Sequence, residues 1–222
     1  MIQAFFLQFI YRITIYNFSY QNEVIILEIK YQSMNTADLT QLIKSRRSIF
    51  PAMYTDRPIE RETLLSILEN GNWAPTHRKT EPWRFKIYQG ESLKTLSNYL
   101  GDYYKENTPS EKFSEIKYKK TIGKPLKSAC VIALCIYDDP NVTIPLWEQR
   151  AALACAVQNM WLTCTSLGIG SYWSSPKSML DASDFLGLTE DEECLGLFYM
   201  GYTDVDTLPA KRGPIEDKIE WM

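Results

Sequence analysis

The chain has 222 residues, of which 45% are hydrophobic and 23% charged, and its formal net charge is −3. This length fits one domain with a substantial core. The small acidic balance argues against a nucleic-acid partner, which would normally require a basic excess. The five cysteines form no CxxC pair and lie in apolar runs, which favours a reducing, cytoplasmic compartment over a disulfide framework. With one histidine and no clustered thiols, we expect no metal site.

The first 33 residues are apolar and aromatic, but they do not predict a membrane span. Gln8 and Arg12 interrupt the run well short of the roughly 20 residues that a span requires. The segment also lacks the basic start and small-residue cleavage site of a signal peptide. Two interpretations stay open for residues 1–33. They are a β-prone N-terminal extension, or an over-translated or disordered stretch before a true start at Met34. We favour the second, because fold signals begin at Asn35, and expect residues 34–222 to form one domain.

Apolar residues at helical or alternating spacing, bounded by turn residues, predict the elements in chain order. The predicted helices run from Asn35 into Arg46, Arg61 to Asn70, Glu91 to about Tyr104, Trp147 to Leu167, and about Ser178 to Phe185. The predicted strands are Arg84–Gln89, Cys130–Tyr137 and Leu195–Tyr199. Gly71 is expected to end the second helix, and Gly168 to Pro176 is expected to be a loop. Helices alternating with strands predict an α/β or α+β layer structure.

The segment from Glu106 to Lys127 is rich in lysine and glutamate. It predicts an exposed helix or excursion, and a solvated face is its simplest interpretation. It is also the only candidate in the sequence for a lid over a binding site.

Motifs for catalysis by the protein's own side chains are missing from the sequence. There is no GxSxG nucleophile elbow and no P-loop, and no cysteine lies in a polar, electropositive setting. Gly168 to Ser171 resembles half of a dinucleotide fingerprint, but the predicted element before it is a helix and not a strand. Covalent or metal catalysis is therefore poorly supported.

The sequence does offer groups that bind anions and flat rings. Arg46, Arg47 and Ser48 supply planar donors and a hydroxyl suited to a phosphate or a heterocycle, although cations near a helix C-terminus are also favoured by the helix dipole. Trp73 and Trp173 could enclose a flat cofactor, although a single tryptophan more often fills the core. His77, the only histidine, lies in a polar loop.

Three motifs together carry a family resemblance. They are RRS at 46–48, NWAPTHRKTEPWRF at 72–85 and PLWEQRAALACAVQNMWLTCTSLGIGSYW at 145–173. In this order and spacing the chain resembles the FMN-dependent nitroreductase family, in particular its short, single-domain NAD(P)H nitroreductase branch. The resemblance covers about Asn35 to Gly201. It implies an α+β sandwich with a central mixed sheet flanked by helices, which forms an intertwined homodimer with two FMN sites at its interface.

The resemblance also assigns site residues by position. Arg46, Arg47 and Ser48 would hold the phosphate, ribityl chain and pyrimidine edge of FMN. Trp73 and His77 would contact the same flavin from the partner chain.

Further positions follow from the second half of the chain. Trp173, Ser174 and Ser175 would line the isoalloxazine near its reactive edge. Lys211 and Arg212 resemble a basic pair that approaches the phosphate, although such a pair is most often simply solvated. The segment from Thr163 to Gly168 matches a stretch that contacts the nicotinamide nucleotide in this branch, and a core-helix role explains it equally well.

The function that the resemblance implies is an oxidoreductase with chemistry carried by FMN, so that no catalytic side chain is expected. NAD(P)H would reduce the flavin in the first half of a ping-pong cycle, and an electron-poor small molecule such as a nitroaromatic or quinone would reoxidise it. A flavin-consuming or dehalogenating relative is one alternative. A flavin-binding redox sensor with little turnover, or a dimeric scaffold without cofactor, is another.

Overall fold

A computed structural model of the chain describes residues 35–206 and 209–222, and the predicted extension over residues 1–33 lies outside them. The chain divides into two units, residues 1–40 and residues 41–222. The described part of the first unit begins helix α1, Thr36–Ser45. As its sequence predicts, Asn35 caps this helix, because its Oδ1 accepts a hydrogen bond from the backbone N–H of Ala37 at 3.0 Å.

The described part of the second unit contains the end of α1, six further α-helices and four strands. The helices are α2 Arg61–Asn72, α3 Ser92–Glu106, α4 Glu115–Leu126, α5 Leu146–Ser166, α6 Lys177–Leu180 and α7 Ser183–Leu186. The strands are β1 Trp83–Tyr88, β2 Cys130–Tyr137, β3 Ile169–Ser174 and β4 Glu192–Tyr202. Within the described ranges, none of the helices combines the length and the apolar character that crossing a bilayer requires.

The strands form one sheet in the order β1-β2-β4-β3. Each of its three pairings is antiparallel. The expectation of a mixed sheet is therefore wrong for these four strands. Among residues 35–206 and 209–222, parallel pairing is limited to an isolated bridge between Ser48 and Ser171, where the segment after α1 meets the outer edge of β3.

Strand β2 is buried on both faces, as its continuous apolar run predicts. Its even-numbered residues point into a core shared with α2 and α5. Its odd-numbered residues point into a second core shared with α3, α6 and α7. The sheet is therefore covered by helices on both sides, which confirms the predicted α+β sandwich.

Two local predictions are wrong, the helix end at Gly71 and the loop from Gly168 to Pro176. Both took glycine as a turn signal, but glycine also occurs where two elements pack closely. Gly71 lies inside α2, where an added Cβ would come 2.8 Å from Cγ of Met160 on α5, so the glycine allows two helices to approach. The predicted loop from Gly168 to Pro176 contains strand β3. Gly170 is small because its backbone faces Ile49, whose Cβ would lie 2.9 Å from an added Cβ.

The segment that follows α1 is fixed to the sheet by Tyr54. Its hydroxyl donates to the carbonyl of Ile49 at 2.8 Å, or to that of Tyr199 at 3.2 Å. Its ring lies against Gly201, where an added Cβ would come 2.6 Å from ring carbons. Burial raises the pKa of Tyr54, so the phenol keeps its proton and remains a hydrogen-bond donor. Residues 46–54 are thereby held along the edge of the sheet.

Candidate functional site

The bridge between Ser48 and Ser171 determines where the first arginine motif lies. The backbone N–H of Ile49 donates to the carbonyl of Ser171 at 3.0 Å, and Ser48 remains exposed. Because this bridge is parallel, the residues after Ser48 run alongside the end of β3, and the ring centroid of Phe50 lies 4.7 Å from that of Tyr172. Two of the predicted flavin segments are thus adjacent in one chain.

Arg46 is held by the long helix. Its guanidinium carbon lies 4.6 Å from the ring centroid of Trp161, a cation–π contact. The indole Nε1 of Trp161 donates to the carbonyl of Arg47 at 3.1 Å, so one side chain orients both arginines. The guanidinium of Arg47 in turn donates to the carbonyls of Lys44 and Arg46 at 2.6 and 2.8 Å.

Positive charge accumulates at this point. Partial burial lowers the pKa of Arg46, and the nearby guanidinium groups of Arg212 and Arg47 lower it further. The tail therefore brings Arg212 close to Arg46, and both Lys211 and Arg212 are exposed. Three guanidinium groups that repel one another would be stabilised by a bound dianion, since an anion removes the repulsion and accepts hydrogen bonds from all three.

The far end of β3 presents groups of mixed character. Trp173 is partly buried against the α2–α5 core, and its Nε1 donates to the carbonyl of Leu195 at 3.1 Å. Ser174 is half-buried and Ser175 exposed, so two residues with hydroxyl groups follow an aromatic side chain here. Such an edge can hold a flat polar ring.

Trp73 and His77 lie elsewhere. Trp73 is 78% exposed and its Nε1 donates to Oε1 of Glu69 at 2.9 Å. His77 is also exposed, and its Nδ1 lies 2.6 Å from Oε2 of Glu148 near the start of α5. Arg46 instead contacts Trp161, thirteen positions further along that helix, or about 20 Å at 1.5 Å per residue. Within a single chain, His77 therefore lies far from Arg46 and Arg47.

The loop that carries His77 has an unusual backbone. Arg78, Lys79 and Glu81 have φ angles of 51°, 57° and 42°, a left-handed conformation that side chains rarely adopt. Such strain persists only where surrounding contacts enforce it, and it occurs often at binding sites.

Hydrogen bonds under this loop supply the enforcing contacts. Thr76 Oγ1 and Thr80 Oγ1 lie 2.9 Å apart, and Thr80 donates to Oε1 of Gln149 at 2.9 Å. Gln149 is buried, and its Nε2 has no hydrogen-bond partner among the described residues. A buried amide donor is thus available at the N-terminal end of α5.

A groove with a different composition lies between α4 and the segment that follows α1, next to Tyr172 of β3. Its volume is about 480 Å³. The lining residues, here called the lysine groove, are Phe50, Pro51, Ala52, Met53, Lys119, Lys120, Gly123, Lys124, Lys127 and Tyr172. Phe50 and Tyr172 follow the bridged residues Ser48 and Ser171, so the groove begins where these two segments meet, while the side chain of Trp173 points to the opposite face of the sheet.

The sequence analysis missed Trp161, Glu148 and this groove. Trp161 packs against the core from the apolar stripe of α5, and its contact with Arg46 is additional to that packing. Glu148 and Gln149 occur in the WEQR stretch, where charged and amide groups beside core positions were the available signal. The described residues hold no group of three or more His, Cys, Asp or Glu side chains suited to a metal ion.

Comparison with known proteins agrees with the motifs. The family model described as "Nitroreductase family" matches residues 43–202. The Bacillus subtilis protein named "Putative NAD(P)H nitroreductase YfhC" is 29% identical over 188 residues, covering 83% of this chain and 94% of that protein. The Escherichia coli K12 protein named "Putative NAD(P)H nitroreductase YdjA" is 26% identical over 167 residues, with coverages of 74% and 87%.

Solved structures are similar over the same region. A nitroreductase-like family protein from Bacillus cereus superimposes with a TM-score of 0.70 at 28% identity, covering 83% of this chain and 95% of that one. A nitroreductase from Desulfovibrio desulfuricans, solved in complex with FMN, has a TM-score of 0.64 at 20% identity, with coverages of 86% and 98%. The resemblance inferred from the motifs is confirmed, and the chain belongs to the nitroreductase family.

Proposed function

We propose that this protein is an FMN-dependent oxidoreductase that takes hydride from NAD(P)H and passes it to an electron-poor small molecule such as a nitroaromatic or quinone. When bound, FMN supplies the hydride-accepting and hydride-donating chemistry, in the two halves of a ping-pong cycle. The observation that carries the proposal is the convergence of the guanidinium groups of Arg46, Arg47 and Arg212 next to Ser48, which bridges to β3. The FMN complex of the Desulfovibrio relative supports the choice of cofactor.

In this proposal, each of the site residues contributed by one chain has a defined role. Arg46 and Arg212 bind the phosphate, with Arg46 already oriented on Trp161. Ser48 and Arg47 donate to the ribityl chain and the pyrimidine edge, where positive charge favours the electron-rich reduced ring. Trp173, Ser174 and Ser175 line the reactive edge. Lys211 adds positive charge to the phosphate end.

We further propose an intertwined homodimer in which Trp73 and His77 complete the site of the partner chain. The separation of about 20 Å along α5 supports this, because His77 and Arg46 of one chain lie at different positions on that helix. The 78% exposure of Trp73 also supports it, since a large indole left in water is typical of a surface that another molecule covers.

The oxidoreductase proposal is tested by visible absorption of the purified protein. We expect a bound flavin spectrum that bleaches on anaerobic addition of NADPH or NADH and returns when a quinone or nitroaromatic is added. A flavin spectrum that no nicotinamide nucleotide bleaches would indicate the redox sensor instead. A colourless protein that takes up no added FMN would indicate the scaffold.

The shared site is tested by mixing two variants, Arg46→Ala and Trp73→Ala. Each homodimer has damage in both of its sites, so each should bind FMN weakly. Random exchange of chains makes about half of the molecules mixed dimers, and in each of these one site is intact while the other carries both changes. We therefore expect about a quarter of the sites to regain normal affinity, measured by quenching of FMN fluorescence. Recovery that stays at zero after exchange is demonstrated would contradict the proposal.

A further inference from the structure

The lysine groove joins an aromatic floor to a cationic wall. Its floor includes Phe50 and Tyr172, whose ring centroids lie 4.7 Å apart, and Tyr172 is stacked in turn on Tyr199 at 5.8 Å. Phe50 is 45% exposed and Met53 43% exposed, so the floor is open to a ligand. A flat ring can pack there against side chains that the sheet already fixes.

The wall is supplied by α4 and the residue that follows it. Lys119, Lys120, Lys124 and Lys127 line the groove, and none of its described lining residues is acidic. Lys119 forms an ion pair with Glu115 at 3.5 Å. Lys124 has its Nζ 5.5 Å from the ring centroid of Tyr172, so it links the wall to the floor.

Spacing along the helix concentrates this charge. Lys120 and Lys124 are four residues apart, which places two like charges on one face of α4, an arrangement that weakens a helix. The described residues contain no ion pair to either lysine. An anion bound between them would replace repulsion by attraction.

From this chemistry we propose that the lysine groove selects the electron acceptor, and that the preferred acceptors are flat aromatic compounds that carry a carboxylate or a similar anionic group. The ring would pack on Phe50 and Tyr172, and the anionic group would lie between Lys120 and Lys124. The inference rests on the proposed function, because the groove meets the proposed flavin site at Phe50 and Tyr172, which follow the two residues of the bridge between Ser48 and Ser171. It adds the class of substrate, which family membership leaves open.

The test compares 4-nitrobenzoate with 4-nitrobenzamide, two acceptors of similar size that differ in charge. For each protein loaded with FMN, the preference is the kcat/KM for the benzoate divided by the kcat/KM for the benzamide. We expect this preference to be about tenfold larger in the wild type than in the variant Lys120→Gln/Lys124→Gln, since each exposed ion pair contributes up to a few-fold. Dividing the wild-type preference by the variant preference cancels the difference in intrinsic reducibility between the two compounds. The preference should shrink as salt is raised, because the lysines are at the surface.

Lys117→Gln is the matched control. Lys117 is on the same helix but does not line the groove, and its Nζ lies 5.5 Å from the ring centroid of Tyr104. The variant Lys117→Gln removes one charge from α4 and should retain the preference for the benzoate. A preference that survives in the double variant, or is lost equally in the control, would overturn the proposal. A double variant that changes KM for NADPH and not for the benzoate would assign the groove to the nucleotide and overturn it as well.

Calorimetric titration of both compounds into the purified protein separates this inference from the proposed function. Tighter binding of the benzoate that depends on Lys120 and Lys124 would support the groove as an anionic aromatic site even in a protein without turnover. If FMN loading abolishes that binding, the flavin itself occupies the groove and the inference fails. Equal binding of the two compounds would likewise rule it out.

Discussion

Replacing Arg46 by alanine is expected to weaken FMN binding about 30-fold, because a guanidinium that is charged and already oriented loses its hydrogen bonds to the phosphate. Riboflavin has the same ring and ribityl chain but no phosphate, so its affinity should change little. Fluorescence titration of the variant with each flavin measures both effects. The contrast between the two flavins tests the phosphate assignment and not merely the presence of a site.

Arg61→Ala is the control for this experiment. Arg61 is exposed at the start of α2, so its removal changes the net charge equally without touching the arginine cluster. We expect normal FMN affinity in that variant. Equal weakening of riboflavin and FMN by Arg46→Ala would instead assign Arg46 to the ring or the ribityl chain.

Replacing Gly196 by alanine is expected to reduce the free energy of unfolding by about 3–5 kcal/mol, as the sum of backbone strain and overpacking. Gly196 has a φ of 125°, and an added Cβ would lie 2.3 Å from the carbonyl oxygen of Ser174 and 2.9 Å from Cα of Ser175. These are backbone atoms, which no change of rotamer can move. Urea unfolding followed by circular dichroism measures the loss.

Gly123→Ala is the matched glycine control. Gly123 lies in helix α4, and an added Cβ would meet no atom within 4 Å. Alanine should therefore leave stability unchanged or raise it by about 0.5–1 kcal/mol through helix propensity. Comparable unfolding curves for the two alanine variants would show that the region around Ser174 yields more easily than its geometry indicates.

The conformation of Gly196 follows from an irregularity in the pairing of β2 with β4. Ala133 is opposite Leu197 but Cys135 is opposite Cys194, so β4 contains one residue more than β2 over this stretch. This bulge lets Cys194 and Leu197 point into the same core. The bulge also brings the backbone of β4 against Ser174, so a site residue is positioned by a departure from regular pairing.

Elements with strong periodicity were predictable from the sequence. The bounds of β2 agree with its apolar run, and α5 differs by one residue at each end from the predicted helix. The predictions failed where small residues were taken as turn signals. In β3 and at Gly71, glycine reflects a neighbour that approaches closely, and that neighbour is distant in the sequence.

The candidate site was predictable to the extent that its residues are consecutive. Arg46 to Ser48 and Trp173 to Ser175 were identified as motifs, and the structure brings the two segments together through Ser171. The contact of Arg46 with Trp161 and the approach of Arg212 depend on tertiary packing, which spacing does not reveal. The lysine groove combines α4 with residues from two other segments, so a solvated helix was the simplest prediction for its lysines.

The bridge at Ser48 also has a consequence for aggregation. Strand β3 is at the edge of the sheet, and an uncovered edge exposes backbone donors and acceptors to which a strand from another molecule can pair. The segment after Arg47 occupies part of that edge. The contacts that hold the arginine motif in place therefore also cover part of the edge of β3. Loss of these contacts would expose that edge for self-association.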